Sequence, residues 1–270
     1  MTDSTLLDPA LPHPQTPPAL APKVYIVGAG PGDPELLTLK AQRLLSQADV
    51  VLYANSLVPP QILAHVRPGA TRIPTASKTL EDILPLMVKA VRSHKAVVRL
   101  HSGDPSLYSA IGEQMRALTE AQVPFEVVPG ISAFQAAAAS LNVELTVPEL
   151  VQSIILTRIS GRTDVPETEE LASLAAHQSS LCLYLSARHV ELAQAKLLLH
   201  YPADTPVALC FRVGWPDEVI EVVPLGQMAA ASRQQELIRT TLYIISPALA
   251  EATTRSRLYS PSHDHLFRPA

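Results

Sequence analysis

Between residues 24 and 246, short runs of β-branched and other apolar residues alternate with stretches in which apolar residues recur about one helical turn apart. The first run is Val24–Val27, and a leucine-rich helical stretch follows its loop between residues 36 and 45. Strands that alternate with helices form parallel sheets, because each helix carries the chain back to the starting edge of the sheet. The sequence therefore predicts the α/β fold class.

Residues 23–140 are predicted to form a first α/β domain with a parallel sheet. Within it, Thr79 begins a helix and Asp82 stands at the position that completes a capping box. A third, alanine-rich helix is predicted from about Ser132 to Ser140. The predicted strands of this domain lie at residues 24–27, 50–53, 97–100 and 125–128.

The same rhythm starts again in residues 141–250, which we predict to be a second α/β domain. Two of its apolar runs, at 206–212 and 219–223, are separated by a short segment that contains Gly214 and Pro216. This spacing favours a hairpin, so the second sheet is predicted to be mixed. The other strands are expected near residues 153–157, 181–185 and 241–246, and the helices near residues 168–176 and 189–199.

Both ends of the chain are predicted to be loose tails. Residues 1–22 contain too many prolines for a regular element, because proline has a fixed φ and no backbone donor. Residues 251–270 are polar and show no apolar periodicity.

Composition and charge exclude several classes of protein. The chain has a formal net charge of −4 and no run of lysine and arginine, so no nucleic-acid partner is expected. No apolar stretch approaches the ~18 residues of a membrane span, and residues 1–22 lack a signal-peptide pattern, which favours a cytoplasmic protein without a membrane partner. Cys182 and Cys210 each lie in an apolar run and are interpreted as core residues rather than a disulfide or metal ligands.

The most unusual local feature is the loop GAGPGDP, residues Gly28–Pro34, between the first strand and a helix. A dinucleotide-binding loop would have its third glycine where Asp33 stands, and Pro31 removes a backbone donor from a phosphate cradle. The loop is therefore not expected to bind a diphosphate. Either it lines a site for another ligand, or it is a tight turn in which Asp33 caps the next helix.

Two further predicted strands end in loops of similar composition. His101–Tyr108 has the sequence HSGDPSLY, and Val128–Ala133 has the sequence VPGISA. Glycine lets a ligand approach the backbone closely, and the carboxylate of Asp104 can accept hydrogen bonds from a hydroxyl or an amine. Because parallel strands end at the same edge of a sheet, the three loops together predict a ligand cleft.

In their order and separation, these three loops resemble the tetrapyrrole methyltransferase family, which includes uroporphyrinogen-III and precorrin methyltransferases. The stretch VGAGPGDPELLTLKA is similar to the N-terminal signature of that family, and the resemblance runs from about Lys23 to Ala248. The segments that most resemble the precorrin branch are Tyr53–Val58, His101–Ser106, Thr205–Glu218 and Arg239–Leu242.

The resemblance implies a two-domain enzyme, usually a homodimer, that holds S-adenosylmethionine in a trough between its domains. Ser102 replaces the glycine that is commoner in the family, and Leu185 stands where many members have methionine. Carried over by motif, the cofactor contacts fall on Pro31, Ser102, Gly103, Asp104, Ser132, Ala133, Leu185, Ala208 and Thr241.

Transfer of a methyl group from a sulfonium to a carbon is a single displacement, so the protein has to align the reactants and exclude water. Asp33 is the first candidate for assisting proton removal or stabilising positive charge on the macrocycle, and Tyr108 is the second. A tetrapyrrole substrate carries many carboxylates, so local basic groups are expected to bind it. The predicted substrate-binding residues are Lys78, His101, Arg158, Arg188 and Arg212, with Arg162 as a further candidate. No metal site is predicted, since His263 and His265 in the tail give only a weak signal.

Three alternatives stay open at this point. The chain could methylate another precorrin position, uroporphyrinogen III, a diphthamide precursor or ribosomal RNA, although its charge disfavours the last of these. It could be a dinucleotide-dependent redox enzyme, which Pro31 and Asp33 disfavour. It could also be a binding module that keeps the fold without catalysis.

Overall fold

The computed structural model describes residues 19–161 and 163–250, and its first sheet is entirely parallel. The strand order is β3-β2-β4-β1-β5, which confirms the predicted α/β class. Sequence patterns did not predict β3, because this four-residue edge strand is mostly exposed and ends in a proline. The strands are β1 (Val24–Gly28), β2 (Val50–Tyr53), β3 (Thr71–Pro74), β4 (Val97–His101) and β5 (Phe125–Val128).

The second sheet is mixed, as predicted, and has the order β6-β7-β10-β8-β9. Its first two strands are parallel, whereas β10 runs antiparallel to both β7 and β8. The predicted hairpin is formed by β8 and β9, which pair in antiparallel register from Pro206 opposite Pro224 to Phe211 opposite Val219. The strands are β6 (Ile154–Arg158), β7 (Ser180–Tyr184), β8 (Pro206–Phe211), β9 (Val219–Pro224) and β10 (Thr241–Ile245).

Seven α-helices occur in the described residues, and the helix that follows β3 begins as predicted. The Thr79 hydroxyl accepts a hydrogen bond from the Asp82 backbone N–H at 3.3 Å, and the Asp82 carboxylate accepts one from the Thr79 N–H at 3.0 Å. The helices are α1 (Leu39–Gln47), α2 (Leu80–Arg92), α3 (Ile111–Glu120), α4 (Ala133–Ser140), α5 (Leu171–Ala175), α6 (Val190–Leu197) and α7 (Met228–Gln234).

Helices cover both faces of each sheet, and α4 connects the two units. In the first sheet, α1 covers one face, while α2 and α3 cover the other. In the second, α5, α6 and α7 cover one face, and Ala136 and Ala137 of α4 pack on the opposite face. Helix α4 follows β5, the last strand of the first sheet, but it packs on the second sheet. The segment between β5 and α4 is therefore held in place by contacts with both sheets. The boundary near residue 140 stays a prediction.

Cys182 on β7 and Cys210 on β8 lie on either side of β10 in the core beneath α4, and they form no disulfide. Both are buried, and burial raises the pKa of each thiol to about 12. They are therefore core residues in the structure, as the sequence indicated.

Some predictions concern residues outside the described part of the chain. These are most of the N-terminal tail, the C-terminal tail with His263 and His265, and Arg162. None of the helices described is both long enough and apolar enough to cross a membrane.

Candidate functional site

The three glycine-containing loops meet at the carboxyl edge of the first sheet. The Ala29 N–H donates to the His101 carbonyl at 2.7 Å, and Gly30 and Gly103 form an antiparallel bridge. A Cβ atom added to Gly130 would lie 2.3 Å from the Gly103 carbonyl oxygen and 2.8 Å from the Gly28 Cα. Glycine is required here because three backbones are in direct contact. The predicted meeting of the loops is therefore present in the structure.

The carboxylate of Asp104 ties the second loop to the third. One of its oxygens accepts a hydrogen bond from the Gly130 N–H at 2.8 Å, and the other accepts from the N–H of Ser106 at 2.8 Å and from its hydroxyl. Burial favours the protonated acid, but the hydrogen bonds from Ser106 and Gly130 outweigh it and lower the pKa of Asp104. The ionised carboxylate of Asp104 therefore connects the second loop to the third.

The second sheet reaches the same loops through Tyr184, at the end of β7. Its hydroxyl forms a hydrogen bond with the Ser132 hydroxyl at 2.9 Å and accepts one from the Phe134 N–H at 3.2 Å. Burial raises the pKa of Tyr184 to about 12, so the hydroxyl is protonated at neutral pH. Its ring also packs against Tyr108, with the ring centroids 5.5 Å apart. Tyr184 therefore links the start of α4 to the second sheet.

A cavity of about 780 Å³ lies between the two sheets and is bounded by these loops. A volume of this size suits a small-molecule ligand. The cavity brings together most of the predicted site residues, from both halves of the chain. Those that line it are Pro31, His101, Ser102, Gly103, Asp104, Tyr108, Ser132, Ala133, Leu185, Arg188, Arg212 and Thr241.

Four predicted site residues do not line this cavity. Ala208 is completely buried in β8, within the core under α4. Arg158 donates hydrogen bonds to the carbonyls of Thr163 and Asp164, which draw it toward its own loop. Lys78 is not among the residues that line the cavity and lies two residues before α2 begins.

Asp33, the fourth, faces a different space. Its carboxylate accepts a hydrogen bond from the Glu35 N–H at 2.8 Å and so caps a short 3₁₀ helix, which is the alternative that the sequence allowed. The side chain lines a separate cavity of about 620 Å³ with Glu218 and Trp215. This geometry corrects the expectation that Asp33 faces the trough.

Several residues at the cavity have left-handed backbone conformations. The φ angles are 53° at Tyr108, 53° at Leu185, 47° at Arg212 and 53° at Thr240. Leu185, Arg212 and Thr240 adjoin strand ends, and Tyr108 lies in the loop between β4 and α3. Non-glycine residues adopt this region only at a cost in free energy. Leu185 is also 66% exposed, so its apolar side chain stands in the cavity without protein contacts over most of its surface. Such strain is typical of ligand-binding loops.

The only tryptophan of the sequence separates the two cavities. Trp215 packs on Gly32, where an added Cβ atom would lie 2.4 Å from the Trp215 Cδ1. The Arg212 guanidinium stacks on the indole 4.9 Å from its centroid and forms an ion pair with Asp217. Trp215 was not predicted as a site residue, and neither were Tyr184 and Arg99.

His101 is only 8% exposed, and its Nε2 atom has no hydrogen-bond partner. Burial, together with the charge of Arg99, lowers the pKa of His101 from 6.5 to about 3, and the Gln114 side chain partly opposes the shift. The imidazole is therefore neutral at physiological pH.

The depressed pKa of His101 predicts a pH dependence of stability. Below pH 6.5 the unfolded chain takes up a proton that the folded protein does not, so the stabilising contribution is complete above pH 6.5 and is lost as the pH falls toward 3. From pH 7 to pH 5 this residue alone should lower the free energy of unfolding by about 2 kcal/mol. Urea denaturation of wild type and His101→Gln at both pH values measures this change in the free energy of unfolding. An equal change in the two proteins contradicts the prediction.

Two linked α/β units with a loop-bounded cavity between their sheets define a class of small-molecule-binding α/β proteins. The chain belongs to the tetrapyrrole (corrin/porphyrin) methylase family, whose model matches residues 23–229.

Named relatives agree with this assignment. A precorrin-4 C(11)-methyltransferase of Pseudomonas aeruginosa is 46% identical over 247 residues, which cover 91% of this chain and 98% of the relative. A cobalt-precorrin-4 C(11)-methyltransferase of Priestia megaterium is 41% identical, covering 91% of this chain and 97% of the relative.

Two solved structures are informative. A cobalt precorrin-4 methyltransferase superposes with a TM-score of 0.82 at 42% identity, covering 85% of this chain and 97% of that one. A uroporphyrin-III C-methyltransferase of Thermus thermophilus, solved with S-adenosylhomocysteine, gives a TM-score of 0.70 at 31% identity, covering 87% and 97%.

Proposed function

We propose that this protein transfers the methyl group of S-adenosylmethionine to C-11 of precorrin-4, or of its cobalt-containing form, in cobalamin biosynthesis. The observation that carries the proposal is the 46% identity to a precorrin-4 C(11)-methyltransferase over nearly the whole of that relative. The inter-sheet cavity supports it, because both reactants of a methyl transfer have to be held in one enclosed space.

The residues of the cavity suit a nucleoside sulfonium better than a dinucleotide. Gly103 has no side chain and those of Ser132 and Ala133 are small, so a ring system can approach the backbone closely. Pro31 has no backbone donor, and the carboxylate of Asp104 would repel a diphosphate. S-adenosylmethionine, when bound, supplies an activated methyl group whose carbon–sulfur bond breaks as the new carbon–carbon bond forms.

The chain's own contribution is alignment and exclusion of water. The Asp104 carboxylate and the Tyr184 hydroxyl hold the loops that would position the cofactor, and Leu185 covers part of the cavity with an apolar side chain. The nucleophile is a carbon of the substrate, so no activated serine or cysteine is needed. As the polar group that contacts the substrate at the reacting centre, we favour Tyr108, which lines the cavity, over Asp33, which does not.

Tyr108 acts in this proposal as a hydrogen-bond donor. Burial raises the pKa of Tyr108, and its hydroxyl is therefore protonated at neutral pH. Arg188 and Arg212 are placed to meet the carboxylates of the macrocycle, because both line the cavity.

Incubation with precorrin-4 and methyl-labelled S-adenosylmethionine tests the activity. We expect one labelled methyl group per product by mass spectrometry and its location at C-11 by NMR. Parallel reactions with cobalt-precorrin-4 and uroporphyrinogen III compare the open alternatives, because a relative of 31% identity is a uroporphyrin-III methyltransferase. Methylation at another carbon overturns the proposed position, and binding of NADH without S-adenosylhomocysteine overturns methyl transfer altogether.

We also propose that the protein is a homodimer, as the family resemblance implies, and that it is cytoplasmic. Light scattering on a sizing column measures the mass of the particle, and a monomer at micromolar concentration contradicts the dimer. Fractionation of cells that express the protein tests its location.

A further inference from the structure

Arg99 is a charged residue in the middle of β4, an otherwise apolar strand at the centre of the first sheet. Its side chain is only 8% exposed, and the surface that remains lines the cavity between the sheets. Strand alternation places it on the same face as His101, two residues further along. A guanidinium thus lies at the floor of the cavity, below the loops that bound it.

The hydrogen bonds of this guanidinium are incomplete. Its Nη1 donates to the Thr75 hydroxyl at 2.9 Å, and Thr75 is itself only 5% exposed. The Nε atom is buried and has no partner. Among the described residues, no carboxylate lies within ion-pair distance of Arg99. A guanidinium has five N–H donors, so most of its hydrogen-bonding capacity is unused.

A buried charge without a counter-ion destabilises a folded protein, because the charge loses its hydration. Burial lowers the pKa of Arg99 to about 10, which still leaves it charged at neutral pH. Its neighbour His101 stays neutral and supplies no compensating charge. The compensating charge is therefore expected to arrive with the ligand.

The other arginines of the cavity are less buried, since Arg188 and Arg239 are exposed and Arg212 is partly exposed. Arg212 already has a carboxylate partner in Asp217, and 37% of its side chain is exposed. It is therefore hydrated and paired without any ligand. Arg99 combines burial, a fixed position and free donors, which is the combination that binds a carboxylate in two parallel hydrogen bonds.

We propose that Arg99 forms the floor of a carboxylate-binding subsite in the cavity, with Thr75 as the positioning residue that holds the guanidinium. This inference rests on the proposed function and deepens it. The carboxylate has two possible sources, an acetate or propionate side chain of the tetrapyrrole and the methionyl carboxylate of the cofactor. Both present the same group to Arg99, and the binding measurements below separate them.

The test compares Arg99→Met, which keeps the length of the side chain and removes the charge, with Arg99→Lys and wild type. One arm titrates S-adenosylhomocysteine by calorimetry. The other titrates uroporphyrin III, a stable porphyrin polycarboxylate, and follows the fluorescence of Trp215 at the cavity wall. Arg72→Met is the matched control, because Arg72 lies on β3, donates to the Val66 carbonyl and does not line the cavity.

Arg99→Met is expected to weaken one of the two ligands by at least about tenfold, and Arg99→Lys is expected to weaken it less. Loss of uroporphyrin binding assigns the carboxylate to the substrate, and loss of S-adenosylhomocysteine binding assigns it to the cofactor. Unchanged affinity for both ligands in a folded Arg99→Met variant overturns the proposal. Neither arm needs turnover, so failure of the methylation assay does not affect the result.

Stability distinguishes this role from a structural one. Removal of an unpaired buried charge should leave the melting temperature of the ligand-free protein unchanged or higher, whereas loss of a structural hydrogen-bond network should lower it. If Arg99→Met does not fold, Thr75→Val provides the second test, because it keeps the charge and removes its hydrogen bond. The affected ligand should bind more weakly to Thr75→Val and normally to Thr75→Ser. Normal binding to both Thr75 variants overturns the positioning role.

Discussion

Gly130→Ala should destabilise the protein by about 3 kcal/mol or more and abolish binding of S-adenosylhomocysteine. The new Cβ atom would lie 2.3 Å from the Gly103 carbonyl oxygen and 2.8 Å from the Gly28 Cα, so the backbones of three loops would have to separate. Each of these atoms belongs to a main chain that is held by a sheet, and a side-chain rotation cannot relieve the contact. Urea denaturation measures the loss of stability, and calorimetry measures the loss of binding.

Gly112→Ala is the matched control for this substitution. Gly112 lies in α3, and a Cβ atom there would have no neighbour within 4 Å. Alanine is the better helix former, so the control should be neutral or stabilise the protein by up to about 1 kcal/mol. A Gly130→Ala variant with the stability and affinity of wild type would show that the three loops are not packed as described.

Asp104→Ala should reduce the affinity for S-adenosylhomocysteine by about 30-fold or more, which corresponds to about 2 kcal/mol. The substitution leaves the Gly130 N–H without its acceptor and frees the Ser106 side chain, so the second and third loops lose their connection. Any direct contact between the carboxylate and the ligand would add to the effect. Calorimetry on the two proteins at the same pH measures it.

Asp33→Ala provides the comparison for Asp104→Ala. Asp33 belongs to the same group of loops, but it caps a 3₁₀ helix and lines the smaller cavity. The affinity of the variant for S-adenosylhomocysteine should be within about threefold of the wild-type affinity. Loss of an exposed helix cap lowers the stability of the protein by about 1 kcal/mol and does not affect ligand binding directly. Equal losses of affinity in both variants would contradict the assignment of the ligand to the larger cavity alone.

The arrangement of the loops was predictable from sequence because it depends on a few strong rules. Parallel strands end at one edge, so the loops after β1, β4 and β5 had to be neighbours once their strands shared a sheet. The capping box at Thr79 was predictable for a similar reason, because its pattern is local. The family resemblance then supplied what the residues alone left open, which was the choice among ligands.

Features that depend on tertiary packing were not predictable. The direction of Asp33 depends on the bridge between Gly30 and Gly103, which turns Pro31 toward one cavity and Asp33 toward the other. The role of Tyr184 depends on the packing of α4 across the second sheet, and no local pattern encodes that contact. Arg99 did carry a signal, because a charge inside an apolar central strand indicates a partner or a ligand.

The two cysteines have a practical consequence. Both thiols are buried and remain protonated at neutral pH, so they should resist maleimide reagents in the folded protein. A cysteine introduced at the exposed Ser93 and another at the exposed Asp204 would then accept fluorophores selectively, without a cysteine-free background. Energy transfer between the two dyes would report in real time whether the halves of the molecule approach each other during a catalytic cycle.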